Sequence, residues 1–123
     1  MHVKAFKEVS TMGGNVKSKT VAIYKDKNEN EPFTDWIESL RDKKGRRIIL
    51  RRIGKMEHGL YGDCESVGGG VLELRIFFGP GYRIYFGEEA EHIILLLCGG
   101  NKDSQDRDIK KAKALWKEHK DNG

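Results

Sequence analysis

Residues 71–86 constrain the fold of this 123-residue chain more than any other segment. They read VLELRIFFGPGYRIYF, which is two runs of aliphatic and aromatic residues on either side of Gly79-Pro80-Gly81. Runs of this kind form β-strands, and a short turn containing glycine and proline folds one strand back on the other. The segment therefore predicts an antiparallel hairpin, which needs further strands or a helix to be stable.

Three other segments have strand character: 20–25, 63–67 and 92–98. The last of them, HIILLLC, is apolar at nearly every position, which is typical of a central strand that is buried on both faces. A turn at Gly68-Gly69-Gly70 joins the strand at 63–67 to the hairpin. Together these segments predict a sheet that is mostly antiparallel.

Three further segments carry apolar residues at helical spacing. The first helix is predicted to begin at Pro32, Gly45 separates it from the second, and Gly59 ends the second. Asp103 or Ser104 is expected to cap the third helix. The apolar positions are Phe33, Trp36, Ile37 and Leu40, then Ile49, Ile53, Met56 and Leu60, and finally Ile109, Ala112, Leu115 and Trp116. The order β-α-α-β-β-β-β-α predicts an α+β fold with two N-terminal helices and a C-terminal helix.

The length supports one domain, which we place at 19–120. Residues 1–18 are polar and rich in glycine, serine and lysine, and we expect a flexible leader there. The longest apolar run, Ile93 to Cys98, has six residues, whereas a membrane span needs about 20. No apolar stretch of a signal peptide is apparent near the N-terminus, so we expect a cytoplasmic protein without a membrane partner.

The net charge of +4 conceals an asymmetry along the chain. Residues 1–62 carry a balance of +6, and residues 63–123 carry −2. Residues 41–55 alone hold eight basic side chains and one acid, on a segment predicted to be helical. A concentration of this kind is typical of a surface that binds a polyanion or an acidic protein, although it is also compatible with a solvated helix face. The candidate RNA-binding residues are Lys44, Arg47, Arg51, Arg52 and Lys55.

Cysteine and histidine spacing does not indicate a metal site. Cys64 and Cys98 lie 34 residues apart without a CxxC pair, and the four histidines form no cluster. We therefore predict neither a metal nor another cofactor.

Two arginines on the predicted hairpin stand out as candidates for chemistry. Arg75 and Arg83 lie on its two strands, with Tyr85 on the same strand face as Arg83 and Lys102 just beyond the last strand. Guanidinium groups bind phosphate oxygens and stabilise the charge that develops during phosphoryl transfer. The two arginines share a face only if the hairpin register has the right parity, which the sequence leaves open. Alternatively, both are structural and pair with acids such as Glu73, Asp63 or Asp108.

An ordered set of motifs resembles a known family. The segments are Trp36–Asp42, Gly59–Asp63, Val67–Val71, Glu73–Ile76, Gly79–Tyr85, Leu95–Lys102 and Ser104–Ala112. In this order they are similar to the HigB-like "addiction module killer protein" branch of the RelE/ParE toxin superfamily. These are toxins of bacterial type II toxin–antitoxin pairs, and the likeness covers about residues 20–117.

The resemblance implies a RelE-like fold, in which the helices pack on a curved sheet, and cleavage of mRNA in the ribosomal A site. In that reaction the 2′-OH attacks the adjacent phosphate without a metal ion. Carried over by position, Arg83 is similar to the phosphate-stabilising arginine of the family, Lys102 to the group that assists the leaving oxygen, and Arg75 to a further phosphate contact. The implied partners are the ribosome with its mRNA and a cognate antitoxin of helix-turn-helix type, whose complex with the toxin binds operator DNA.

The chain departs from the family at two places. Val71 and Glu73 stand where ribosome-dependent members carry lysines, and the last helix lacks their tyrosine. The general base is therefore open among Glu73, Tyr85 and His92. Two alternatives to an endoribonuclease remain: an inhibitor of DNA gyrase of ParE type, and an inactive relative that binds an antitoxin.

Overall fold

The structure, a computed structural model, describes residues 2–3 and 18–122. Six strands form one sheet in the order β1-β2-β6-β5-β4-β3. The strands are β1 His2–Val3, β2 Thr20–Ile23, β3 Cys64–Gly68, β4 Val71–Ile76, β5 Tyr82–Glu89 and β6 Ile93–Asn101. All neighbouring strands are antiparallel except β2 and β6, which run parallel. The predicted α+β class and mostly antiparallel sheet are confirmed.

Three α-helices lie within the described residues: α1 Pro32–Ser39, α2 Lys43–Met56 and α3 Gln105–Asn122. Helices α1 and α2 pack on one face of the sheet, where Phe33, Ile49 and Ile53 meet alternate residues of the strands. Helix α3 packs on the other face through Ala112 and Trp116. The sheet is therefore the middle layer of three, and its two faces have separate hydrophobic cores.

The junction between α1 and α2 differs from the prediction. Gly45 does not separate the helices, because it lies in the first turn of α2. Asp42 is the N-cap instead, and its side chain accepts a hydrogen bond from the Gly45 amide at 2.8 Å. A Cβ atom on residue 45 would lie 2.8 Å from the ring of Tyr82, so glycine is needed here for close packing.

The predicted cap of α2 is confirmed, but Leu60 is misplaced. Helix α2 ends at Met56, and Gly59 follows with a φ of 76° while the Leu60 amide donates to the Lys55 carbonyl oxygen. Leu60 has 61% of its surface exposed, so it does not belong to the apolar stripe.

A third predicted boundary is wrong. Neither Asp103 nor Ser104 caps α3, which is preceded by a single 3-10 turn at Lys102–Ser104. The side chain of Asn101 caps that turn by accepting from the amides of residues 103 and 104.

Most of the predicted leader, 1 and 4–17, lies outside the described residues, and its flexibility stays a prediction. Among the helices that the structure does describe, none is both long enough and apolar enough to cross a membrane.

Candidate active site

Arg75 of β4 and Arg83 of β5 are direct partners across the hairpin. The observed register therefore gives the parity that the sequence left open, and both side chains lie on the same face of the sheet. Glu73 and Tyr85 form the next pair along the same face. This face is the one that α3 covers, because Tyr85 belongs to the core on that side.

Glu73 is the centre of this cluster. Its Oε2 atom accepts hydrogen bonds from the Tyr85 hydroxyl and from Nε2 of Gln105, both at 2.9 Å. The Nε atom of Arg83 lies 3.8 Å from Oε2, and Nε of Arg75 lies 3.8 Å from Oε1. The carboxylate is only 2% exposed, so two arginines neutralise a charge that has been removed from water.

The two guanidinium groups are incompletely satisfied. Arg83 donates from Nη1 to the carbonyl oxygen of Gly81 at 2.8 Å. The Nε atoms of Arg75 and Arg83 are both buried, and neither has a hydrogen-bond partner. Buried donors are nearly always paired in native proteins, so an unpaired donor on each side of one carboxylate calls for an explanation.

Arg75 also has the structural partners that the alternative interpretation requires. Its guanidinium pairs with Glu65 and lies 3.5 Å from Oδ1 of Asp63, in addition to the contact with Glu73. Three carboxylates thus surround Arg75. Among the described residues, Arg83 forms an ion pair with one carboxylate, that of Glu73. Because fewer carboxylates neutralise it, Arg83 is the better placed of the two arginines to bind an anionic ligand.

Tyr85 does not fit the expectation that its hydroxyl contacts a phosphodiester. The side chain is fully buried, and its hydroxyl donates to Glu73. Burial, together with the hydrogen bond to Glu73, raises the pKa of Tyr85 far above its ordinary value. The hydroxyl therefore stays protonated at neutral pH, so Tyr85 is unsuited to act as the general base and instead orients Glu73.

His92 lies far from the arginines. It is an exposed residue directly before β6, whereas Arg83 pairs with Gly100 near the other end of that strand. Eight residues of extended strand span about 25 Å. Among the three candidates for the general base, Glu73 is therefore the one that lies between the arginines.

Lys102 lies close to this cluster, as the sequence suggested. It is exposed and directly follows β6. Its Cβ atom would be 3.6 Å from a Cβ atom on Gly81, the residue whose carbonyl holds Arg83. No described residue forms an ion pair with Lys102, so its ammonium group is available to a ligand.

The predicted RNA-binding residues of α2 lie elsewhere. Because α2 packs on the opposite face of the sheet, its basic surface lies on the other side of the sheet from Arg83. Lys44, Arg47, Arg51 and Lys55 are exposed on that helix. Arg52 is structural, since its guanidinium donates to the carbonyl oxygens of Arg75 at 3.0 Å and Tyr61 at 2.8 Å.

Two features of α3, one inside the cluster and one outside it, were missed by the sequence reasoning. Gln105 reaches Glu73 from the start of α3, across 32 residues of sequence, and no spacing rule indicates this contact. Arg107 and Lys111 are exposed one turn apart on α3, a pattern that helical periodicity could have revealed.

The thiol groups are not set up for nucleophilic chemistry. Burial raises the pKa of Cys98 to about 12, and burial also raises the pKa of Cys64. In the part of the chain that the structure describes, no three His, Cys, Asp or Glu side chains are grouped in a way that could hold a metal ion.

Comparison with known proteins found a relative of undefined activity. The chain is 42% identical over 86 residues to an uncharacterized protein of Haemophilus influenzae. The match covers 70% of this chain and 87% of that protein. No protein-family model matches the chain.

Proposed function

The chain belongs to the same family as this Haemophilus influenzae protein, and we propose that it is the toxin of a type II toxin–antitoxin pair. Its activity would be metal-independent, ribosome-dependent cleavage of mRNA, on a fold of RelE-like arrangement. The resemblance of the ordered motifs to the HigB-like branch supports this proposal, and so does the chemistry of the Glu73 cluster.

The observation that carries the proposal is the grouping of Arg75 and Arg83 on one face of the sheet, with Lys102 nearby. The two arginines lie on paired positions of neighbouring strands, on either side of one carboxylate. A phosphodiester offers non-bridging oxygens that accept hydrogen bonds from guanidinium groups. The Nε atoms of both arginines are buried beside Glu73, so a phosphodiester would be held by the outer nitrogen atoms of the guanidinium groups.

In the proposed reaction, Glu73 removes the proton from the 2′-OH of the RNA. Its Oε1 atom would take this role, because Oε2 accepts both hydrogen bonds that the described residues make to this carboxylate. Glu73 is 2% exposed and Oε1 faces Arg75, so the Arg75 side chain would have to move aside for the RNA to reach it. The 2′-oxygen then attacks the adjacent phosphorus atom, and a 2′,3′-cyclic phosphate forms. Arg83 donates to the non-bridging oxygens, on which negative charge accumulates in the transition state.

The bond from phosphorus to the 5′-oxygen breaks in the same step. Lys102 donates a proton to that oxygen, so the second product carries a 5′-OH and the protons balance. Tyr85 and Gln105 hold Glu73 in position and do not touch the substrate. Arg75 supplies a weaker phosphate contact, because three carboxylates already surround it.

The partners follow from the same proposal. The ribosome would present the mRNA, and a helix-turn-helix antitoxin would hold the toxin inactive in the cytoplasm and bind operator DNA together with it. The exposed cations of α2, which the structure separates from the Glu73 cluster, are then available to ribosomal RNA or to an acidic segment of the antitoxin.

The ion pairs of Arg75 favour a second candidate function. An arginine enclosed by Asp63, Glu65 and Glu73 is what a purely structural cluster would contain. Under this alternative the chain is an inactive relative that binds an antitoxin without cleaving RNA.

Induced expression in a bacterial host, followed by mapping of mRNA 5′ ends, separates the two candidates. We expect the wild-type chain to arrest growth and to create new 5′-OH ends within translated messages. Arg83→Lys keeps the charge but loses the planar fork of donors, and we expect cleavage to fall about 100-fold to 1,000-fold. Glu73→Gln should reduce cleavage by a similar factor, because it removes the base.

Arg46→Lys is the matched control. Arg46 also has a buried, unpartnered Nε atom, but it belongs to α2 on the other face of the sheet, so cleavage should be unchanged. Circular dichroism of the purified variants checks that each is folded. Intact messages after induction of the wild type would contradict the nuclease, and accumulation of DNA cleavage complexes would then indicate a gyrase inhibitor.

A further inference from the structure

A cleft of about 740 Å³ opens beside Gly99 and Gly100, at the end of β6. Trp36 and Asp35 of α1 line one wall, and Arg107 and Lys111 of α3 line the other. Its volume lies within the range of pockets that bind small organic molecules. None of the residues that take part in the proposed reaction lines this cleft.

The position of the cleft follows from the topology. Strands β2 and β6 are parallel neighbours, and the chain leaves β2 towards α1 on one face of the sheet and β6 towards α3 on the other. A crevice forms outside the carboxyl ends of two such strands, because the connections diverge to opposite faces. Ligands of open α/β sheets bind at this kind of point.

The cleft adjoins the Glu73 cluster. Gly100, which forms part of its floor, is the strand partner of Arg83. The first turn of α3 stands between the two, since Gln105 contacts Glu73 while Arg107 and Lys111 face the cleft. A chain of nucleotides whose reactive phosphate lies at Arg83 can therefore continue past this turn into the cleft.

The α3 wall carries positive charge that no described residue neutralises. Arg107 and Lys111 are both exposed, lie one helical turn apart, and form no ion pair with any residue that the structure describes. The opposite wall contributes Asp26 and Asp35, whereas Asp108 lies on the α3 wall itself, where it is buried and accepts a hydrogen bond from the Ser104 hydroxyl. The Asp26 carboxylate already accepts from the amides of Asn28 at 2.9 Å and Asn30 at 2.8 Å.

This division of charge sets the orientation of a nucleotide. Phosphates would lie against the exposed Arg107 and Lys111, away from Asp26 and Asp35. The sugar and base would face Asp35 and the half-buried ring of Trp36, where a carboxylate accepts from hydroxyl or amino groups and an indole stacks on a base. A duplex would not enter a cleft of this size, so the fitting ligand is a single strand.

We propose that the cleft between α1 and α3 binds single-stranded RNA next to the cleaved bond, and that Arg107 and Lys111 hold its phosphates. This inference rests on the proposed nuclease function. In this proposal the substrate RNA binds along α3, whereas the sequence analysis predicted RNA binding by the cations of α2.

The test uses a labelled RNA oligonucleotide with 2′-O-methyl sugars. It cannot be cleaved by the proposed reaction, because it lacks the 2′-OH that attacks the phosphate. Its affinity for the full chain is measured by fluorescence anisotropy over a range of salt concentrations. The double variant Arg107→Gln/Lys111→Gln should bind more weakly and should make the slope of log affinity against log salt less steep by about 1.4, since each phosphate contact of a single strand contributes about 0.7.

The C-terminal part of α3 supplies the matched control. Lys117→Gln/Lys120→Gln removes two exposed cations that do not line the cleft, and should leave the slope unchanged. An equal loss in both double variants, or a loss in the Lys117/Lys120 variant alone, would overturn the proposal. Absence of oligonucleotide binding by the wild type would overturn it as well.

Cleavage of unmodified mRNA by the same variants separates this inference from the proposed function. If the Arg107→Gln/Lys111→Gln variant keeps full cleavage and full affinity for the oligonucleotide, the cleft does not bind substrate. The proposed nuclease function is then unaffected. If the wild type binds the oligonucleotide through α3 but cleaves no message, the nuclease function is wrong and the RNA-binding cleft remains.

Discussion

Asp42 shows how one side chain joins two layers of the molecule. It caps α2 by accepting from the Gly45 amide, and it accepts from the hydroxyl of Tyr82 in β5 at 2.8 Å. The hydrogen bond from Gly45, and then that from Tyr82, hold the pKa of Asp42 below its usual value. Burial and the same contact raise the pKa of Tyr82 to about 12, so its hydroxyl remains a donor.

The lowered pKa of Asp42 predicts a pH-dependent contribution to stability. The ionised carboxylate is favoured in the folded state, so its contribution is present above the unfolded pKa near 3.8 and is lost as the pH falls through the lower folded value. We expect Asp42→Ala to reduce the free energy of unfolding at pH 7, and the deficit to shrink below about pH 4. Urea denaturation followed by circular dichroism across this pH range measures it.

Asp106→Ala serves as the control for Asp42. Asp106 is exposed in the first turn of α3, and its carboxylate accepts no hydrogen bond from any described residue. Its replacement should cost much less at pH 7. A deficit for Asp42→Ala that stays constant down to pH 2 would show that the cap acts without its charge.

At the scale of elements, two glycines let α3 lie against the sheet. A Cβ atom on Gly87 of β5 would overlap the ring of Trp116, and one on Gly70 would lie 2.6 Å from Nε1 of the same indole. The indole therefore packs directly on the backbone of the sheet. This contact anchors the C-terminal half of α3, while Gln105 anchors its start.

A pair of glycine-to-alanine variants tests this packing. Gly87→Ala should lower the free energy of unfolding by about 1–3 kcal/mol, because the added methyl displaces Trp116. Gly54→Ala should raise it by about 0.5–1 kcal/mol, because Gly54 lies inside α2 with nothing within 4 Å of a new Cβ atom. Thermal unfolding compares the two, and a neutral Gly87→Ala would mean that α3 is loosely attached.

At the scale of the whole molecule, β6 is the strand that all layers share. It is hydrogen-bonded to β2 on one side and β5 on the other, and residues 94–98 are buried against the cores of both faces. Among the described strands, β3 lies at the edge of the sheet next to β4, and it is largely exposed. The stability of the fold is therefore greatest at the centre of the sheet and declines towards β3.

Hydrogen–deuterium exchange would measure this gradient. We expect the amides of residues 94–97 to exchange most slowly, through global unfolding alone, and those of β3 to exchange by local opening. Rising urea should therefore change the rates in β6 steeply and those in β3 little. Equal protection in both strands would indicate that the sheet opens as one unit.

Local patterns were sufficient for much of the fold. The Gly79-Pro80-Gly81 turn, the apolar run of β6 and the stripes on α1 and α3 depend on neighbours within a few residues, and these elements appear where predicted. Helix ends were less predictable, because Asp42 and Asn101 cap through side chains that several nearby residues could have supplied. The candidate site required contacts across the sheet, such as that between Gln105 and Glu73.

The α+β class, the hairpin that carries Arg75 and Arg83, and the concentration of positive charge on α2 follow from periodicity and composition, so local sequence was enough to predict them. The register that pairs the arginines around Glu73 and the burial of the Tyr85 hydroxyl became visible only in the folded molecule. The same is true of the packing of α2 and α3 on opposite faces of the sheet. These features depend on which strands become neighbours and on where each helix packs. That choice is made by burial of apolar surface over the whole chain, and no local pattern encodes it.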